Sequence, residues 1–119
     1  MEMKAAIRAL SALAQETRLA VFRRLVQAGF GGLPVHKIAE AVGVAGPTLS
    51  FHLKELVHAG LVHGRQEGRF IYYSANYAAM AELMAFLSEN CCGGSPELCT
   101  PAVDRRPASK RPRKEVANP

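Results

Sequence analysis

Apolar residues recur at helical spacing from the start of the chain. Ile7, Leu10, Leu13 and Ala14 form a stripe that predicts a first helix over residues 4–14. Leu19, Phe22, Leu25 and Val26 repeat the pattern in a second helix from Thr17, stopped by "GFGG". "VHKIAEAV" gives a short third helix with Val35, Ile38, Ala39 and Val42 inward, ended by Gly43. Leu49, Leu53, Leu56 and Val57 then mark a fourth helix over residues 47–59, with Pro47 in its first turn and Gly60 as its stop. The period changes next. "LVHGRQ" and "RFIYYSA" are β-branched and aromatic, and Glu67-Gly68 between them predicts a hairpin. From Tyr77 to about Asn90 helical composition returns, with Met80, Met84 and Leu87 on one side, until Gly93, Gly94 and Pro96 end it. The order is four helices, a hairpin and a helix: a mainly α winged helix-turn-helix with a β-hairpin wing.

The 119 residues suit a single domain, and 49% hydrophobic content is globular composition. No N-terminal signal peptide is visible, because Lys4, Arg8 and Gln15 interrupt the apolar residues, and no apolar run reaches membrane-span length. A cytoplasmic protein is expected, in which thiols stay reduced. The net charge of +5 is unevenly placed. From Thr100 onward six Lys or Arg face Asp104 and Glu115, and the first 99 residues are nearly neutral. The predicted organisation is a DNA-binding and dimerisation domain over 1–92, a cysteine segment over 91–99 and a basic, disordered tail over 100–119. Charge alone does not establish nucleic-acid binding.

The third and fourth helices, joined by "GVAG", have the order of a unit whose second helix enters the major groove. With Leu49, Leu53 and Leu56 inward, Thr48, Ser50, Phe51, His52 and Lys54 include the groove-facing candidates. Hydroxyls meet base edges or phosphates, and Lys54 neutralises a phosphate. Arg65 and Arg69 flank the hairpin turn, where guanidinium groups reach phosphates or the minor groove. Taken singly, each of these residues reads equally well as ordinary solvated surface. The order of elements carries the weight.

"LAQETRLAVFRRLV" followed by "HKIAEAVGVAGPTLSFHLKELVHAGLVHGRQEGRFIYYSA" resembles the ArsR/SmtB family of winged-helix metalloregulatory repressors, over residues 6–92. The resemblance implies a homodimer, formed through the first and last helices, that binds an inverted-repeat operator in double-stranded DNA and releases it when an inducer binds. Ile7, Leu10 and Leu13, with Met80, Met84 and Leu87, offer apolar surface for such a dimer. Two familiar sensor sites of the family are missing. The third helix has no cysteine, and residues 77–90 have no His or Asp.

What remains is Cys91, Cys92 and Cys99, the only cysteines of the chain. Neighbouring residues in a helix point about 100° apart, so Cys91 and Cys92 converge only once the helix has ended. Gly93-Gly94 permits that exit, and "GGSPE" can bend Cys99 back. Three thiolates without imidazole select a thiophilic guest. Structural zinc normally takes four ligands and would need Glu97, water or a distant residue. As(III) or Sb(III) is satisfied by three sulfurs, and the cysteine trio resembles that of some arsenite-responsive ArsR repressors. As(III) is thus the expected inducer, with no cofactor needed for folding. Redox or persulfide sensing by two thiols, a Cys91–Cys99 disulfide and cysteines without a role stay open. A different class is an arsenic-binding carrier or thiol oxidoreductase lacking specific DNA affinity. The sequence holds no Cys-x-x-Cys, phosphate loop or Ser/His/Asp arrangement, which argues against an enzyme.

Overall fold

The computed structural model describes residues 1–94. They form helix α1 (Met3–Leu13), α2 (Glu16–Ala28), strand β1 (Leu33–Pro34), α3 (Val35–Val42), α4 (Gly46–His58), β2 (Val62–Glu67), β3 (Phe70–Ala75) and α5 (Tyr77–Leu87). A 3-10 turn follows at Cys91–Gly94. The chain divides into a unit from Met1 to Phe86 and a second unit beginning at Leu87. Cys99 and the basic segment from Thr100 lie outside the described residues. Among the described residues no helix is long and apolar enough to cross a membrane.

The first unit is a winged helix-turn-helix, mainly helical with a small antiparallel sheet. Val21, Leu25, Ile38, Leu49, Leu53, Leu56 and Leu61 are almost completely removed from solvent and form its centre. They come from α2, α3, α4 and the approach to β2, so one core fixes the helix-turn-helix and the root of the wing together. Burying each such aliphatic side chain contributes about 1.5–3 kcal/mol. Gly43 closes α3 in the left-handed conformation (φ 70°), which a side chain at that position would resist.

The wing has one strand more than the sequence pattern predicts. The sheet order is β1-β3-β2, with Leu33 opposite Tyr73 and Pro34 opposite Tyr72. β1 is two residues long and ends in proline, which lacks the donor a central strand needs and is tolerated at an edge. Glu67 pairs with Phe70, so the turn consists of Gly68 and Arg69, one residue further along than Glu67-Gly68. Gly68 takes the expected positive φ (64°).

Helix α1 packs through its small residues. Ala6, Ala9 and Ala12 point into the core, whereas Ile7 and Leu10 are exposed. Small side chains let α1 approach α2 and α4 closely, and the larger ones are left outside. Leu19 is likewise exposed, its expected place taken by Val21, and Val57 lies at the surface. Helix α5 ends at Leu87, before the predicted Asn90. Leu83 is its buried residue, Met80 is half-buried against the core, and Met84 and Leu87 are exposed.

Two side chains tether the start of α5. The Tyr77 hydroxyl donates to the carbonyl oxygens of Val26 (2.8 Å) and Leu25 (3.3 Å), which α2 leaves without helical partners at its end. Asn76 Oδ1 accepts from the Ala79 N–H (3.1 Å) in the manner of an N-cap, and Asn76 Nδ2 donates to the Gly60 carbonyl (2.9 Å) behind α4. Tyr77→Phe is therefore expected to lower stability by about 1–2 kcal/mol through the unsatisfied carbonyls. Urea unfolding measures this, and an unchanged midpoint would contradict the tether.

Candidate nucleic-acid interface

Helix α4 begins after Ala45, whose extended backbone starts the helix without a side-chain cap. Pro47 supports the first turn by its fixed φ and has no N–H to leave unsatisfied. With Leu49, Leu53 and Leu56 buried, the outward face carries Pro47, Thr48, Ser50, Phe51 and Lys54, all exposed. The N-terminal backbone N–H groups and Lys54 suit phosphates, and the hydroxyls of Thr48 and Ser50 suit bases or phosphates.

The wing stands beside this face. Ser50, Lys54, Val57 and His58 of α4 form one wall of a groove, with Gly64, Gln66, Ile71 and Tyr73 of the sheet forming the other. Gly64 has a local reason to be glycine, because a Cβ there would lie 3.1 Å from the Tyr73 ring. On the far side of the wing, Arg69, Phe70 and Ile71 face α3 and the start of α4 across a second groove. The imidazole of His36 meets the Phe70 ring there at 5.7 Å.

The predicted site residues separate into two groups. Thr48, Ser50, Lys54 and Arg69 lie on exposed surface, Arg69 within the turn itself. Arg65, also exposed, and the half-buried His52 instead have partners within the chain. Arg65 Nε donates to Glu67 Oε2 (2.7 Å) and Arg65 Nη2 to the Gly31 carbonyl (3.2 Å). Its guanidinium also lies 5.6 Å from the Tyr72 ring centroid. This residue braces the wing against the loop before β1, away from the turn where the sequence pattern places it.

His52 is half-buried, with Nδ1 3.5 Å from Arg18 Nη1. A guanidinium only donates, so in this contact Nδ1 is the acceptor. Arg18 Nε donates in turn to the Ala12 carbonyl at the end of α1 (2.7 Å), and the Arg18 N–H is capped by Gln15 Oε1 (2.9 Å). Arg18 thus ties α1, α2 and α4 together. Sequence reasoning misses its link to His52, 34 residues away, as it misses the link of Asn76 to Gly60, 16 residues away.

Of the cysteines, Cys91 and Cys92 are half-buried in the 3-10 turn. Asn90 (φ 57°) and Cys92 (φ 55°) are left-handed, and Gly93 continues that hand. The reversal comes after α5 has ended, so the two thiols are free of the fixed 100° separation of a helix. Among the described residues no group of three His, Cys, Asp or Glu is assembled to hold a metal ion. Cys99 lies outside them.

Residues 13–65, from the end of α1 into β2, match a helix-turn-helix domain family. The chain is 40% identical over 75 residues to the HTH-type transcriptional regulator NmtR of Mycobacterium tuberculosis, covering 63% of this chain. It spans only 60% of the length of NmtR. NolR from Sinorhizobium fredii superposes with a TM-score of 0.59 at 32% identity, over 72% of this chain and 83% of that one. The homodimeric winged helix-turn-helix DNA-binding domain of Mb0332 from Mycobacterium bovis, a possible ArsR-family transcriptional regulator, gives a TM-score of 0.59 at 29% identity. Here 78% of this chain and 86% of that domain are covered. Fold, helix order and sequence agree across these matches, and the chain belongs to the ArsR/SmtB family of winged-helix regulators.

Proposed function

We propose that the protein is an arsenic-responsive transcriptional repressor. It binds operator DNA as a homodimer and lets go when As(III), or Sb(III), is held by the thiolates of Cys91, Cys92 and Cys99. The observation that carries the DNA-binding part is the exposed face of α4, with Thr48, Ser50 and Lys54 beside the wing and Arg69 at its turn. Two such helices related by a dimer axis match half-sites about one helical turn, roughly 34 Å, apart.

The arsenic part rests on chemistry. Two adjacent thiols follow the end of α5 in a reversing turn, and the third cysteine of the chain is seven residues beyond Cys92. Three thiolates without imidazole favour a trivalent thiophile over zinc. When bound, that centre would draw Cys99 towards Cys91 and Cys92 and restrain the chain that leaves α5. A coupling of about 1–3 kcal/mol suffices to weaken operator binding roughly 5- to 150-fold.

The test is an arsenite titration, under reducing conditions, of protein bound to a fluorescent duplex selected by the protein from a random-sequence pool. Wild type is expected to release the duplex. Cys91→Ser, Cys92→Ser and Cys99→Ser are each expected to bind it normally and to stay bound. Release by oxidant or persulfide, with arsenite inert, would replace this reading by thiol redox sensing. Arsenite binding without any selectable DNA would make the protein a carrier.

A further inference from the structure

Phe51 stands out among the exposed residues of α4. The residue is 57% accessible on the face that carries Ser50 and Lys54, and the leucine stripe on the opposite face already fills the core. A solitary exposed apolar side chain is ordinary on a protein surface. This one has a ring neighbour. Its ring meets that of His52 edge-on, with centroids 5.5 Å apart and planes at 65°. His52 is in turn held at Nδ1 by Arg18, which is anchored on the Ala12 carbonyl. A phenyl ring on the outward face of the reading helix is thus backed by a chain of contacts reaching α1.

The chemistry narrows what the ring can recognise. Phenyl has no donor or acceptor for the hydrogen-bonding edges of bases, and it gains nothing from phosphate. Within the major groove the one apolar group on a base edge is the C5-methyl of thymine. The neighbours of Phe51 supply the polar complement, with Ser50 and Lys54 able to bond adjacent base or backbone atoms. We propose that Phe51 is a specificity-determining residue that reads a thymine methyl in each operator half-site. The proposal rests on the DNA-binding reading above. Arg18 and His52 are positioning residues for it, which accounts for a histidine on the reading helix that is turned towards α2.

The deciding measurement uses a duplex selected by the full-length protein from a random pool, copied once with thymine and once with deoxyuridine throughout. The copies differ only by the methyl groups. Wild type is expected to bind the uracil copy roughly three- to fivefold more weakly per contacted thymine, the value of one buried methyl. Phe51→Ala is expected to bind both copies alike, at the level of wild type on uracil, with an unchanged melting temperature because the side chain is exposed. Phe51→Leu keeps an apolar side chain and should retain part of the methyl preference. Equal wild-type affinity for both copies overturns the proposal, as does a full methyl preference in Phe51→Ala. If no duplex is enriched above the pool, the DNA-binding reading falls together with it.

Discussion

Replacing Ile7 and Leu10 together by aspartate is expected to give a folded monomer whose affinity for the selected duplex falls by roughly two orders of magnitude or more. On α1 the exposed Met3, Ile7 and Leu10 follow one another at helical spacing, on the side opposite the buried Ala6, Ala9 and Ala12. Helix α5 adds Met84, 58% accessible, in a segment whose sole charged residue is Glu82. A helix this apolar on all sides belongs in an interior, and one protomer covers only the side that includes Leu83. A second copy is the covering that the proposed dimer supplies. Charge on α1 opposes it without touching the core, so the circular dichroism spectrum should be preserved. The affinity loss follows because each half-site is then gripped alone, without the high effective concentration that the partner head provides. Sedimentation and DNA titration on the same sample decide the matter. A variant that stays dimeric, or a monomer that binds as tightly as wild type, removes α1 from the interface.

The helix-turn-helix was legible because its signals are local. Gly43 ends α3, Pro47 opens α4, and Leu49, Leu53 and Leu56 recur on one helical face within a short window. The orientation of α1 was not legible for a physical reason. Periodicity reveals a stripe but not which side of it meets the core, and alanines carry little hydrophobic signal although they allow the closest packing. The larger Ile7 and Leu10 mark the stripe and the expected dimer surface, whereas Ala6, Ala9 and Ala12, which make the core face, give no comparable signal. β1 escaped because two residues ending in proline carry no alternation. At the candidate site, Thr48, Ser50 and Lys54 followed from the helical face alone. The commitment of Arg65 to Gly31, and of His52 to Arg18, each spans 34 residues, a separation no local pattern encodes. The bond of Arg65 to Glu67 was closer to view, since residues two apart share one face of a strand.

Gly32→Ala is expected to cost the fold about 3 kcal/mol or more, and to weaken DNA binding beyond what the lost stability explains. Gly32 has φ +71°, where a Cβ is disfavoured by roughly 1–2 kcal/mol. The larger part is steric. A Cβ at Gly32 would strike the Tyr73 carbonyl oxygen, lie 2.8 Å from the carbonyl carbon and come within 3.1 Å of Ser74 Cβ. Two of these three atoms are backbone of β3, the central strand, so no flexible side chain can yield. Relief requires β1 to lift from β3 at the Leu33–Tyr73 pair or β3 itself to shift. Either movement carries the wing with it, because Arg65 ties β2 to the neighbouring Gly31. Gly31→Ala is the matched control. It lies one residue away, a Cβ there meets nothing within 4 Å, and its φ is not positive. Urea unfolding of the two variants should separate them by most of the predicted cost. DNA affinity measured well below the melting temperature should fall for Gly32→Ala only. Equal stability in the two variants would mean that β1 yields freely, and the wing would then owe its position to Arg65 and the α4–sheet packing.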